Sequence, residues 1–107
     1  GINKMMVLVY ITCSDEEESV KIAENLLKER LIACSNIIKS IRSLYWWENK
    51  IEKDNESILI LKTMEDKLDE IIKRVKKLHS YENPAIIALP ILKTSDSYLN
   101  WIKNEIN

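Results

Sequence analysis

Residues 31–62, LIACSNIIKSIRSLYWWENKIEKDNESILILK, decide the fold. The first half holds too many β-branched and aromatic residues, and too little helical period, to be a helix, so it reads as one long, bent strand. The polar run ENKIEKDNES follows, and the apolar ILILK closes the stretch. Asn49 suits the positive φ that a tight hairpin turn often requires, so the two halves are expected to pair as an antiparallel hairpin. The outer half, roughly residues 45–56, mixes Trp46 and Trp47 with many charges. Such an arm is too polar to form its own core, so it projects beyond the domain and its indoles need a cover.

Working outward, each end of the hairpin is preceded or followed by a helix and a strand. Residues 5–12, MMVLVYIT, are short, apolar and rich in β-branched and aromatic side chains, which predicts a buried strand. Ser14-Asp15-Glu16-Glu17 then matches a capping box with Ser14 as the cap and Glu17 reaching back. A helix follows with Val20, Ile22, Ala23, Leu26 and Leu27 as its apolar stripe, and the acidic run at residues 15–18 stabilises its positive end. On the far side of the hairpin, Leu68, Ile71, Ile72, Val75 and Leu78 predict a second helix, with Thr63 or Asp66 near its start. Its Lys73, Arg74, Lys76 and Lys77 form a solvated face that favours the helix dipole. Pro84 and Pro90 bracket a short strand, AIIAL, and a last helix runs from Ser95 to about Glu105. The order β-α-β-β-α-β-α defines an α+β domain, the ferredoxin-like split βαβ sandwich with an added C-terminal helix, spanning residues 1–107 as one unit. Helices on one face leave the other face of the sheet open. That face and the arm together predict self-association.

Composition narrows the function. With 107 residues the chain can bury a core without staples, and its two cysteines make no disulfide framework, so a reducing compartment, the cytoplasm, is expected. A formal net charge of −1 gives no basic excess to hold a nucleic-acid backbone. The longest apolar runs fall short of the ~20 residues of a membrane span, so neither nucleic acid nor membrane is an expected partner.

The text LIACSNI, SIRSLYWWENKI, ESILILKT, HSYENPAIIALPI and YLNWI, in this order through nearly the whole chain, resembles the divalent cation tolerance protein CutA family. The resemblance implies a compact homotrimer related in shape to the PII signalling proteins, with the hairpins packed between subunits, and an association with copper and other divalent metals. Three departures stand out. The family commonly has Thr-x-Pro where this chain has Thr12-Cys13-Ser14, glycine where it has Asn49, and His-Pro-Tyr-Glu where it has His79-Ser80-Tyr81-Glu82. Loss of that second proline relaxes the backbone restriction on His79.

His79 is the only histidine. Its ordinary reading is a helix-end residue that caps carbonyls or meets solvent, and Cys34, in an apolar strand, reads ordinarily as a small buried hydrophobe. Together, a soft thiolate and an imidazole suit copper or zinc, and Glu82, with Glu56 from a neighbour, adds carboxylate oxygen. The expected metal ligands are thus His79, Cys34 and Glu82. Without CxxC, HxxxH or a second histidine one chain cannot close a four-ligand shell, so binding is expected at a subunit junction with modest affinity. Cys13 reads as a strand-end thiol. Tyr45, Trp46 and Trp47 are expected as trimer-interface anchors rather than a stacking platform for bases. The leading function is a homotrimeric divalent metal (copper) binding protein in cation tolerance. A PII-like trimer that senses a small ligand, with no metal role of its own, is the alternative. A thiol enzyme pairing Cys34 with His79 is the weakest reading, so no catalysis is expected.

Overall fold

The protein is described by a computed structural model in which residues 4–106 are placed. Strand β1 (Met6–Cys13) leads into helix α1 (Glu16–Lys28), then strands β2 (Cys34–Trp47) and β3 (Lys50–Met64) form the hairpin. A short 3-10 turn, Glu65–Lys67, opens onto α2 (Leu68–Leu78), followed by β4 (Ile86–Pro90) and α3 (Asp96–Glu105). The sheet order is β2-β3-β1-β4, all neighbours antiparallel. This is the ferredoxin-like arrangement expected from the element order.

Alternation divides the sheet's two faces. Val7, Val9, Ile11 and Cys13 of β1, opposite Thr63, Leu61, Leu59 and Ser57 of β3, are buried, and the apolar ones pack with Ile22, Ala23 and Leu26 of α1 and Ile71 and Val75 of α2. Val20 and Leu27, expected in the α1 stripe, are exposed instead. Only a narrower stripe fits between that helix and the sheet. On the opposite face, α3 covers one end through Ile102, which packs with Met6 and Met64. The rest, including Ile38, Ile87 and Leu89, stays open.

The helix ends differ in detail from the sequence expectation. Asp15, not Ser14, caps α1 by accepting from the Glu18 N–H. Ser14 is engaged elsewhere, with Glu18 itself. At the other end Arg30 takes φ 59°. The amides of Arg30 and Leu31 bond to the carbonyls of Leu27 and Leu26, a left-handed stop that usually employs glycine. The Arg30 guanidinium reaches Glu105 at 2.7 Å and so ties this stop to α3. Neither Thr63 nor Asp66 caps α2: the Thr63 hydroxyl donates to the Leu31 carbonyl and Asp66 pairs with Lys4.

The hairpin turn is two residues, Glu48 and Asn49, at φ 50° and 63°, the doubly left-handed geometry that matches strand twist. The bend expected in β2 is a β-bulge. Ile38 opposes Ile58 and Ile41 opposes Glu56, so β2 carries one residue more than β3 there. Beyond the bulge β3 has no second neighbour, because the register of β1 ends at Cys13–Ser57. The arm therefore stands alone, with Trp46 74%, Leu44 61% and Ile51 61% exposed on one side.

Candidate metal centre

The topology brings three distant segments to one end of β1. Because β1 and α2 run toward the same end of the sheet, the residue that follows α2 lands beside the strand's last residues. That residue is His79, and its side chain is fully buried. Its Nε2 lies 2.8 Å from the Thr12 carbonyl oxygen and its Nδ1 3.0 Å from the Tyr81 amide. A carbonyl only accepts and an amide N–H only donates, so the ring proton belongs on Nε2 and the lone pair on Nδ1. The C-cap backbone at φ −74°, ψ 141° is the extended conformation that a following proline would impose. Here hydrogen bonds maintain it without one.

Glu18, in the first turn of α1, ties this segment to the end of β1. Its Oε1 accepts from the Ser14 N–H at 2.9 Å and the Ser14 hydroxyl at 3.1 Å, and its Oε2 from the Ser80 N–H at 2.8 Å. Oε1 also stands 3.7 Å from His79 Nδ1. Burial opposes ionisation of this carboxyl, yet the donors of Ser14 and Ser80, with His79 close by, outweigh it and hold the group below the ordinary carboxylate value. Beside them lies the buried Cys13. Burial, more than the neighbouring Glu18, Glu56 and Asp15 charges, pushes its thiol up to about 11, while a hydrogen bond from Ser19 works the other way. The ligand atoms of Cys13, Glu18 and His79 all fall within 4.8 Å of one another.

This is a different set from the one the sequence suggested. His79 is in it, but Cys34 is on the opposite face of the sheet, where its Sγ lies 3.4 Å from the Tyr98 hydroxyl. By register Cys34 opposes Lys62 and Lys62 opposes Leu8, four residues down β1 from Thr12, a distance of ~13 Å along the strand before the two strand spacings are counted. Cys34 and His79 do not meet within one chain. Glu82 is exposed on the turn that follows His79. Glu56 accepts from the Tyr81 hydroxyl at 2.7 Å, and burial, then this bond, raises the phenol's pKa. Tyr45 donates to Asp54 on the arm, which raises its phenol to about 12. Sequence reasoning missed Cys13 and Glu18. The usable signal was topological: in a split βαβ fold the end of α2 and the start of α1 both flank the end of β1.

The donor chemistry fits a metal ion. Thiol, imidazole and carboxylate suit copper or zinc, and His79 already donates its second ring nitrogen to a backbone carbonyl, the usual support for a ligating imidazole. Two groups stand in the way of an ion. The Cys13 proton must leave, and the Tyr81 N–H must release the Nδ1 lone pair. Ligands of one such ion stand about 3.3–4 Å apart, so the widest pair would close by no more than about 1.5 Å.

An antiparallel ferredoxin-like sheet with an unpaired arm and a mixed sulfur, nitrogen and oxygen cluster defines a small α+β protein with the donors for a transition metal. The chain belongs to the CutA1 divalent ion tolerance protein family, whose model matches residues 7–105. It is 47% identical to the divalent-cation tolerance protein CutA of Pyrococcus horikoshii over 94% of this chain and 97% of that one. It is 43% identical to the chloroplastic CutA 1 of Oryza sativa over 92% of this chain, but spans only 55% of that longer protein. Its fold matches the structure of the periplasmic divalent cation tolerance protein CutA from Archaeoglobus fulgidus with a TM-score of 0.94 and 41% identity, covering 96% of this chain and 100% of that one.

Proposed function

We propose that this chain acts in divalent-cation tolerance as a homotrimer that binds one copper or zinc ion per subunit through Cys13, Glu18 and His79. The observation that carries the metal reading is the convergence of three different donors at the end of β1. Because a thiol proton and one hydrogen bond are given up on binding, affinity is modest and a proton is released. Assembly is supported by the arm and by the open sheet face, whose exposed Trp46, Leu44, Ile51, Ile87 and Leu89 one chain leaves uncovered. Three copies, rather than another number, follow from the family resemblance. A reducing location such as the cytoplasm belongs to the same proposal, since both cysteines are free.

The alternative, a PII-like trimer that senses a small ligand without metal, is favoured by one observation. Among the described residues no buried side-chain nitrogen or oxygen lacks a partner, so the cluster is complete without an ion. Titration of the assembled protein with zinc(II) decides between them. One ion per subunit, lost in both Cys13→Ser and His79→Ala and kept in Cys34→Ser, is expected. Binding that survives the first two substitutions, or no stoichiometric binding in wild type, leaves the ligand-sensing reading.

A further inference from the structure

Three residues hold the candidate ion, and their charges differ. Cys13 contributes one negative charge once its proton has left, while His79 is neutral with its proton on Nε2, fixed by the Thr12 carbonyl. Glu18 contributes the second negative charge. Its two oxygens have separate tasks. Oε2 is anchored by the Ser80 amide, and Oε1, held by Ser14, faces His79 Nδ1 at 3.7 Å. A ligating carboxylate is typically anchored in this way by hydrogen bonds of its own. Both anchoring amides belong to Ser14 and Ser80, where the family resemblance leads one to expect prolines, which have no N–H to give. The anchored carboxylate is thus a property of this chain's own departures.

Resting on the metal reading above, we infer that Glu18 sets the charge of the cation accepted here, so that the site takes a divalent ion with it and a soft monovalent ion without it. Thiolate plus carboxylate balance a charge of +2, and thiolate alone balances +1. The site is poorly hydrated: Cys13 is buried, the His79 side chain has no exposure and that of Glu18 has 11%. An unbalanced unit charge in such surroundings is strongly disfavoured. The other acidic groups nearby are engaged, Asp15 with the Glu18 N–H and Glu56 with the Tyr81 hydroxyl, and they act on both kinds of ion alike.

The test compares zinc(II) with silver(I), two closed-shell ions of different charge, by competition against a chelator on the assembled protein. Glu18→Gln should weaken zinc(II) by at least the roughly 10–100-fold that loss of an outer-shell partner costs a metal site, and should tighten silver(I), whose wild-type complex carries the unbalanced negative charge. Glu18→Ala, which sets no amide group against the Ser80 N–H, should give the same change of preference and serves if the glutamine variant does not fold. Ser80→Pro removes an anchor but no charge, and should leave the zinc-to-silver ratio as in wild type. Loss of both ions in equal proportion on neutralising Glu18, or a Ser80→Pro ratio like that of Glu18→Gln, overturns the inference and leaves the metal site standing. If Cys13→Ser and His79→Ala bind zinc(II) like wild type, the site itself falls, and the inference with it.

Discussion

The end of β1 and the outer hairpin are built to different completeness. At the end of β1, Thr12, Ser14, Glu18, Ser80 and Tyr81 surround His79 so that each donor has its acceptor inside one chain. On the arm, a strand pair continues past the last residue of β1 with its largest side chains in solvent. Buried polar groups must be paired to be tolerated, whereas exposed indoles cost little until they find a surface. The first region is therefore finished by folding, whereas the second is left with apolar surface that the proposed assembly would cover.

The largest effect is expected on the arm. If the arms pack between copies as proposed, replacing Trp46 and Ile51 together with Ala removes two side chains each worth roughly 1.5–3 kcal/mol when buried, so the mass by light scattering at micromolar concentration should fall to one subunit. The circular dichroism of the monomer should persist, since neither residue belongs to the core. At the end of β1 the opposite pattern is expected. His79→Ala leaves the Thr12 carbonyl and the Tyr81 amide unpaired and opens a void, and should cost about 2–4 kcal/mol in urea titration with the mass unchanged.

Glu18→Gln sharpens the same contrast through pH. The carboxyl is held below its ordinary value of 4.5, so its contribution is complete above that pH and is lost as pH falls through the folded-state value. Wild type should exceed the variant by about 1–2 kcal/mol near pH 7, and the two unfolding curves should converge in acid. The smallest effect belongs to the turn of the arm. Glu48 sits at φ 50°, a conformation asparagine tolerates better, so Glu48→Asn should raise stability by about 0.5 kcal/mol without altering assembly.

Legibility in the sequence followed the same division. The element order and the hairpin were legible because strand and helix periods differ and because Asn49 marks a turn; the exposed Trp46 and Trp47 were expected from the polarity around them. His79 was singled out by its chemistry, but its partners were not. Cys13 and Glu18 are distant from it in sequence, and only the return path of α2 brings them close. Cys34 looked a plausible partner because a one-dimensional reading does not say which face of a sheet a thiol occupies. Val20 and Leu27 were misplaced for a related reason, since an apolar stripe shows which way a helix faces but not how wide its contact is.

The bulge in β2 acts as a phase slip. Before it, odd-numbered residues of β2 share the helix-covered side with odd-numbered residues of β3; after it, Tyr45 and Trp47 oppose Glu52 and Lys50, while Leu44 and Trp46 oppose Lys53 and Ile51. The supernumerary residue between Ile38 and Ile41 thus absorbs the one-residue difference in length between the facing stretches, while the two-residue turn pins Trp46 beside Ile51. A chain shortened by one residue there would keep the pairs Trp46–Ile51 and Leu44–Lys53 and the side each faces, yet lose the local bend and added twist that the bulge gives the arm. The direction in which the arm leaves the sheet would change while both of its faces kept their side chains.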